Sequence, residues 1–322
     1  MTNSTTGMAA ATGPVAPGRD NAKELDKAFR VVHRRNIRNG LIFIAPNFIG
    51  FAVLIMFPVL TLFYICFSEW SAFGDPTFTG AANWIRLAKD DLFWTAFWNT
   101  CYYALVHIPL TLAIGFGLGV LLNSKLKGRA FFRTAAYFPY ITSIVAAAQV
   151  WNMMFDPNSG PINQFIRVFT GGADGWAPGW LSTTQWAMPA VIIVGTWREV
   201  GYFMILILAG LQTIPTELYE AARVDGANGW QQFWKITVPM MRPTLFFVMV
   251  TLTINSFRVL DLTLVMTEGG PGTATMVLAQ YAYDTAFQDY EFGYSGAISI
   301  VLFAMCMVVT IIQFVYNNIK EK

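Results

Sequence analysis

Apolar residues dominate six stretches of the chain, each about as long as a membrane-crossing helix: 41–67, 97–123, 132–155, 187–211, 243–266 and 295–317. A helix needs about 20 mostly apolar residues to cross the hydrocarbon of a bilayer. The pattern therefore predicts an all-α polytopic membrane protein with six transmembrane helices. The first, second and last stretches carry no charge. The third is bounded by Arg133 and Asp156, the fourth contains Arg198 and Glu199, and the fifth contains Arg258 and Asp261.

The polar stretches divide unevenly. Residues 1–38 begin rich in small residues, Pro and Gly and end in the basic run "FRVVHRR". This predicts a disordered, partly basic tail, with a transmembrane domain over 39–322. The apolar run that follows is 30 residues without a charge (39–68), too long for the core of a signal peptide, about 7–15 residues, so an uncleaved span is expected. With an even number of spans both ends lie on one side. Sixteen lysines and arginines fall on that side, in the tail, around 125–133, in 212–242 and at the C-terminus, against Arg86, Lys89 and Arg167 on the other. Positive charge is retained inside, so both termini and the 212–242 loop are predicted cytoplasmic. The outer loops hold ten carboxylates and the run "GWAPGWLSTTQW" (175–186), whose tryptophans suit anchoring at headgroup level.

Composition narrows the class. Of 322 residues 55% are hydrophobic and 12% charged, with mean hydropathy +0.47, where soluble domains carry about 25% charged residues. A net charge of +2 gives no basic field for nucleic acid. Cys66, Cys101 and Cys306 all lie in apolar runs without a CxxC, and His33 and His107 are isolated; no metal site is expected. No His/Asp/Glu metal spacing or nucleophile–base pair argues for an intramembrane enzyme.

The loop 212–242 is longer than a connection requires and reads as two short helices. Pro215 suits a first helical position, Glu217 and Glu220 suit the early turns, and Leu218, Ala221 and Ala222 share a face. Gly226 ends this helix. Asn228 caps the next, whose stripe is Trp230, Phe233 and Trp234, and Pro239 and Pro243 stop it. Physically, two roles stay open for such an elbow: resting on lipid, or filling a groove on a cytoplasmic partner.

Here a resemblance decides. "EAARVDGANGWQQFWKITVP" resembles the EAA motif of membrane subunits of ATP-binding-cassette importers: EAA, three residues, Gly, nine residues, Ile, one residue, Leu-Pro. Glu220, Ala221, Ala222, Gly226, Ile236 and Pro239 fall on the pattern, and Val238 stands where it has leucine. "AGLQTIP", "WNMMFDPNSGPIN" and "SFRVLDLTLVMTEGGPGTAT" look like the carbohydrate-uptake branch, the maltose-type first membrane subunit, over roughly residues 40–320. The resemblance implies that the elbow is a coupling helix docked on an ATPase, Glu220 making polar contact and Ala221 and Ala222 allowing close approach. It also implies two ATPase subunits that use the ATP and Mg, a second permease subunit of similar fold completing the pore, and an extracytoplasmic solute-binding protein at the bacterial inner membrane. The chain itself has no GxxxxGK[ST], so it binds no cofactor by the usual phosphate loop.

Charges within a bilayer are costly and face a cavity or one another. Arg258 and Asp261, three apart, are expected to pair on one helix face. Arg198 and Glu199 diverge, so at least one needs a partner elsewhere. Arg198, Arg258 and Asp261, with Trp197, Tyr202 and Asn255, are the substrate-pathway candidates; Trp151 and Asn152 are weaker ones. Pro109 and the Gly115, Gly117 and Gly119 set are expected to bend and pack the second span, and "TEGGPGTAT" to form a tight outer turn. A glycerol-phosphate or other polar-solute importer is the alternative, and an ion-coupled transporter using the intramembrane charges is a third possibility.

Overall fold

The computed structural model describes residues 19–71, 74–124, 126–172 and 175–321. They fall into two units, 1–61 and 62–322, taken separately.

In the first unit a single helix, α1 (Arg19–Phe51), passes through a π-helical turn, Ala52–Met56, into α2 (Phe57–Ile65). The expected tail thus needs correction. Residues 1–18 lie outside the described residues, but from Arg19 on the chain is helical. No Pro or Gly interrupts 19–39, Ala, Lys, Glu and Leu there are good helix formers, and growth from a formed helix carries no nucleation cost. The π turn has a local cause. Pro58 follows it, and the Phe57 N–H bonds back to Ala52 O. Widening the turn ahead of a proline relieves the clash between its ring and the preceding turn. A second π turn, Phe233–Thr237, stands in the same relation to Pro239.

After α2 the second unit holds a small antiparallel ribbon, β1 (Ser68–Glu69) with β2 (Thr77–Phe78), an exception to the all-α expectation. Among the described residues the α-helices that follow are α3 (Ala82–Ala88), α4 (Asp91–Asn123), α5 (Arg129–Ile141), α6 (Ile144–Met154), α7 (Pro161–Thr170), α8 (Thr184–Gln212), α9 (Thr216–Val224), α10 (Gly229–Gln232), α11 (Val238–Met240), α12 (Arg242–Phe257), α13 (Asp261–Met266), α14 (Leu278–Phe287) and α15 (Phe292–Glu321). Helices α4 and α8 make the most extensive pairing. Glycines make it close: a methyl on Gly119 would stand 2.9 Å from Ile207 Cγ2, and one on Gly115 3.5 Å from the Met204 nitrogen. Gly117 faces open space and takes no part. Against α5 the approach is tighter still, since a methyl on Gly201 would overlap the Ala136 carbonyl.

Among the described residues four helices are long and apolar enough to cross a membrane: Arg35–Ile65, Asp91–Asn123, Thr184–Gln212 and Phe292–Ile319. A fifth is added if Gly229–Met240 and Arg242–Phe257, bent by 65°, count together. The expected third and fifth spans are not single helices. The third breaks at Thr142 and Ser143, between α5 and α6; Pro139 lies three residues earlier, and the Thr142 hydroxyl donates to its carbonyl at 2.7 Å. The fifth breaks at 258–260, between α12 and α13. Ahead of that break Thr253 and Ser256 donate to Met249 O and Leu252 O at 2.7 and 2.8 Å, side-chain bonds that compete with the helical ladder.

The core divides into clusters along α8. One joins Tyr103, Ala148, Phe155, Trp180, Met188, Val191 and Leu262; another joins Phe203, Ile207, Leu211, Met241, Val248 and Leu252. Trp180 is therefore core and not a headgroup anchor: it is buried, and its indole N–H donates to Asn163 Oδ1 at 2.8 Å. Trp176 stays exposed. A third cluster, around Cys66, Phe93, Leu278 and Ile298, lies beneath a polar junction. There Asp90 caps α4 by accepting from Leu92 N and Phe93 N at 2.9 and 3.3 Å, and also accepts the hydroxyls of Tyr281 and Tyr294. Arg86 pairs with Glu291 at 2.7 Å and lies 4.0 Å from the Tyr294 ring centre. The loop after α13 is more than a tight turn: Asn99 donates to the Thr273 and Met276 carbonyls at 2.9 Å each, and Thr267 and Thr275 share a hydrogen bond at 2.6 Å.

Candidate functional site

Two regions gather the sequence-predicted residues. The first is the elbow. Pro215 proves to be the N-cap of α9, one position before its helical start. The helix ends in a full Schellman motif: Gly226 takes φ +80°, its N–H bonds to Arg223 O at 3.0 Å, and the Ala227 N–H reaches Ala222 O at 2.8 Å. Gly226 is needed for its backbone angle, since an L side chain at positive φ costs about 1–2 kcal/mol. Asn228 then caps α10 through a reciprocal box with Gln231, both bonds at 2.9 Å. Pro239 does not stop this second helix. The π turn ends at Thr237 and hands the chain to α11, which contains Pro239, and the 65° bend follows before Arg242.

The elbow is anchored on one side and bare on the other. Tyr219 and Ile236 pack on the Phe203–Leu252 cluster, and Phe233 lies 5.7 Å from Phe116. Glu220, Ala221, Arg223 and Val224 are exposed, as are Trp230 at 70% and Trp234 at 52%. The motif residues thus separate: Ile236 attaches the elbow, Pro239 and Ala222 are half-buried, and Glu220 and Ala221 face outward.

The second region is a cavity of about 270 Å³ between α4, α5, α8 and the α12–α13 break, lined by Arg198, Asn255, Arg258 and Asp261 together with Tyr103, Tyr140, Gly195 and Glu199. Two expected residues, Tyr202 and Trp197, do not line it. Tyr202 stacks on Tyr140 at 4.5 Å, and Trp197 lies edge-on to Trp151 at 5.4 Å. The Arg198 guanidinium is 5.6 Å from the Tyr140 ring centre. Its Nε, like Glu199 Oε2 and Asn152 Oδ1, is buried without a hydrogen-bond partner.

The expected Arg258–Asp261 ion pair does not form; the described ion pair is Arg86–Glu291. Three-residue spacing brings side chains together only while the helix continues. Arg258 caps the end of α12 and Asp261 opens α13, so both are free to face the cavity. Tyr103 and Tyr140 were missed because nothing in their local sequence separates a cavity tyrosine from a core one. Glu199 was legible as an intramembrane charge. The cavity offers guanidinium donors, carboxylate acceptors and aromatic faces, the groups that bind polyols. Among the described residues no cluster of three or more His, Cys, Asp or Glu could hold a metal.

Residues 111–319 match the family described as binding-protein-dependent transport system inner membrane component. The chain belongs to this family. As an inner membrane component it is a multi-pass membrane protein. The lactose transport system permease protein LacF of Rhizobium radiobacter is 34% identical over 281 residues, covering 86% of this chain and 93% of that protein. The trehalose/maltose transport system permease protein MalF of Thermococcus litoralis is 31% identical over 289 residues, covering 89% and 96%. In solved structures, a chain of a bacterial ABC transporter involved in the import of the acidic polysaccharide alginate has the same fold, with TM-score 0.77 and 21% identity, covering 92% of this chain and 100% of that one.

Proposed function

We propose that this chain is a permease subunit of an ATP-driven sugar importer and forms half of its translocation pore. The observation that carries the proposal is the elbow: an exposed Glu-Ala-Ala helix whose opposite face is seated on the buried cluster of α8 and α12. A helix held in this way passes force into the spans it is packed against, and close-packed cores respond by switching between discrete arrangements. The relatives named for lactose and for trehalose/maltose support a mono- or oligosaccharide as the cargo.

On this reading α5 with α6, and α12 with α13, are the broken third and fifth of six spans. Both termini and the elbow lie in the cytoplasm. Glu220, Ala221 and Ala222 meet a cleft in each chain's ATPase partner, and two ATPase subunits bind the ATP and Mg, this chain holding no cofactor and catalysing no reaction. A second permease of similar fold completes the pore, and an extracytoplasmic binding protein delivers the sugar. Arg198, Asn255, Arg258 and Asp261 line its path.

Co-purification of the ATPase tests the reading. Glu220→Lys and Gly226→Pro should each release it while the two permeases stay together; an unchanged yield of ATPase with both variants would contradict the docking role. Two arginines in one cavity also favour a second cargo, a phosphorylated polyol such as glycerol phosphate, which competition in the uptake assay separates from neutral sugars. Uptake by the chain reconstituted alone, without ATP, would point instead to an ion-coupled transporter.

A further inference from the structure

Tyr103 occupies an unusual position at the cavity. Its side chain is 3% exposed and its ring stacks on His107 with centroids 4.9 Å apart. His107 is itself fixed. The Ser256 hydroxyl donates to Leu252 O at 2.8 Å, which leaves its oxygen to accept from His107 Nδ1 at 2.9 Å. The imidazole becomes a rigid wall behind the phenol, tied to the helix that breaks at the cavity. The Tyr103 ring is held, yet its hydroxyl bonds to no described residue while lining the cavity. The hydroxyl is open to the cavity, so its hydrogen bonding is completed there, by water or by a ligand that displaces water.

Gly195 allows this placement. A methyl group there would overlap the Tyr103 hydroxyl oxygen, and would stand 3.5 Å from both His107 Nε2 and Leu262 Cδ2. Any larger residue at 195 pushes the phenol out into the passage. At about 270 Å³ the cavity lies just below the ~300–1,000 Å³ of whole-ligand pockets, so it admits one ring-sized unit at a time and a small displacement of Tyr103 changes what passes.

We infer that Tyr103 is a substrate contact, its hydroxyl bonding a hydroxyl of the sugar, and that Gly195 is the specificity-determining position that sets its depth. The inference rests on the sugar-importer reading. The test uses the complete transporter in liposomes, with a panel of neutral mono-, di- and trisaccharides presented by the binding protein, then monodeoxy analogues of the sugar transported. Tyr103→Phe removes one oxygen and leaves the ring on His107. It should lower kcat/KM for the sugar about tenfold with the yield of assembled transporter unchanged. One monodeoxy analogue should be carried equally by both forms, because its half of the bond is already absent; a purely structural change would depress all analogues alike. Gly195→Ala should lower uptake further, and adding Tyr103→Phe should restore part of it. If Tyr103→Phe carries the sugar as well as the unaltered protein, or loses all analogues in proportion, the inference falls and the sugar reading stands. If the unaltered transporter carries none of the panel, the sugar reading falls and the inference with it.

Discussion

The hydroxyl of Tyr219, in the helix bearing the Glu-Ala-Ala triplet, lies 2.9 Å from Thr237 Oγ1 in the π turn of the second elbow helix. Thr237 is buried and Tyr219 partly so. The bond closes the elbow on itself, so that a displacement of either helix moves the other. Tyr219→Phe should cost about 0.5–1.5 kcal/mol and loosen this link. The expected outcome is ATPase that still binds but hydrolyses ATP with less sugar moved per turnover, measured as the ratio of uptake to phosphate release.

Gly226 allows a milder test of the same joint than proline does. At φ +80°, with nothing within 4 Å of an added methyl, Gly226→Ala meets no steric neighbour and costs only the backbone term, about 1–2 kcal/mol. Weakened but detectable ATPase binding is expected, measured as a raised Kd of roughly five- to thirtyfold, with no change in the thermal stability of α4 and α8.

Gly201 lies where α8 touches the Ala136 carbonyl. Gly201→Ala forces α5 away from α8 and should destabilise the protein by about 1–3 kcal/mol. Since Tyr140 is on α5 and stacks on Tyr202, uptake should fall along with the melting temperature, a pairing that Gly117→Ala, open to space, should not reproduce.

Asp90 should confer an acid-sensitive stability. Burial alone would raise its carboxyl, but the hydroxyls of Tyr281 and Tyr294 and the N–H groups of Phe93 and Leu92 outweigh it and hold it below the ordinary carboxylate range. A folded value below the unfolded one gives stability that is complete above the unfolded value, about 3.9, and lost as pH falls through the folded value. Asp90→Asn keeps a capping side chain but cannot titrate. Melting temperatures in detergent from pH 7 to pH 3 should therefore converge for the two proteins at the acid end, with the unaltered one higher at neutral pH.

How much of this was legible depended on whether the signal was local. The elbow could be read almost residue by residue, because caps and turns are written by neighbours: Asn228 with Gln231, Gly226 at a positive φ. Its one error of substance, Pro239 as a stop, came from a π turn that sequence patterns do not announce. The cavity was half legible. Charge inside an apolar run marks Arg198, Glu199, Arg258 and Asp261 wherever they point. Tyr103 and Tyr140 have no such mark, and Trp180 reads as an anchor until Asn163 is found beside it.

The sequence by itself determined the membrane class, the four long apolar helices and the chemistry of the elbow, because hydrophobic length and local backbone preference act over a few turns of chain. The tertiary structure alone decided where two of the expected spans break, that Arg258 and Asp261 part rather than pair, and which tyrosines meet the cavity. Those outcomes depend on helices distant in sequence packing within a few ångströms, where one glycine, Gly195 or Gly201, determines how close they come.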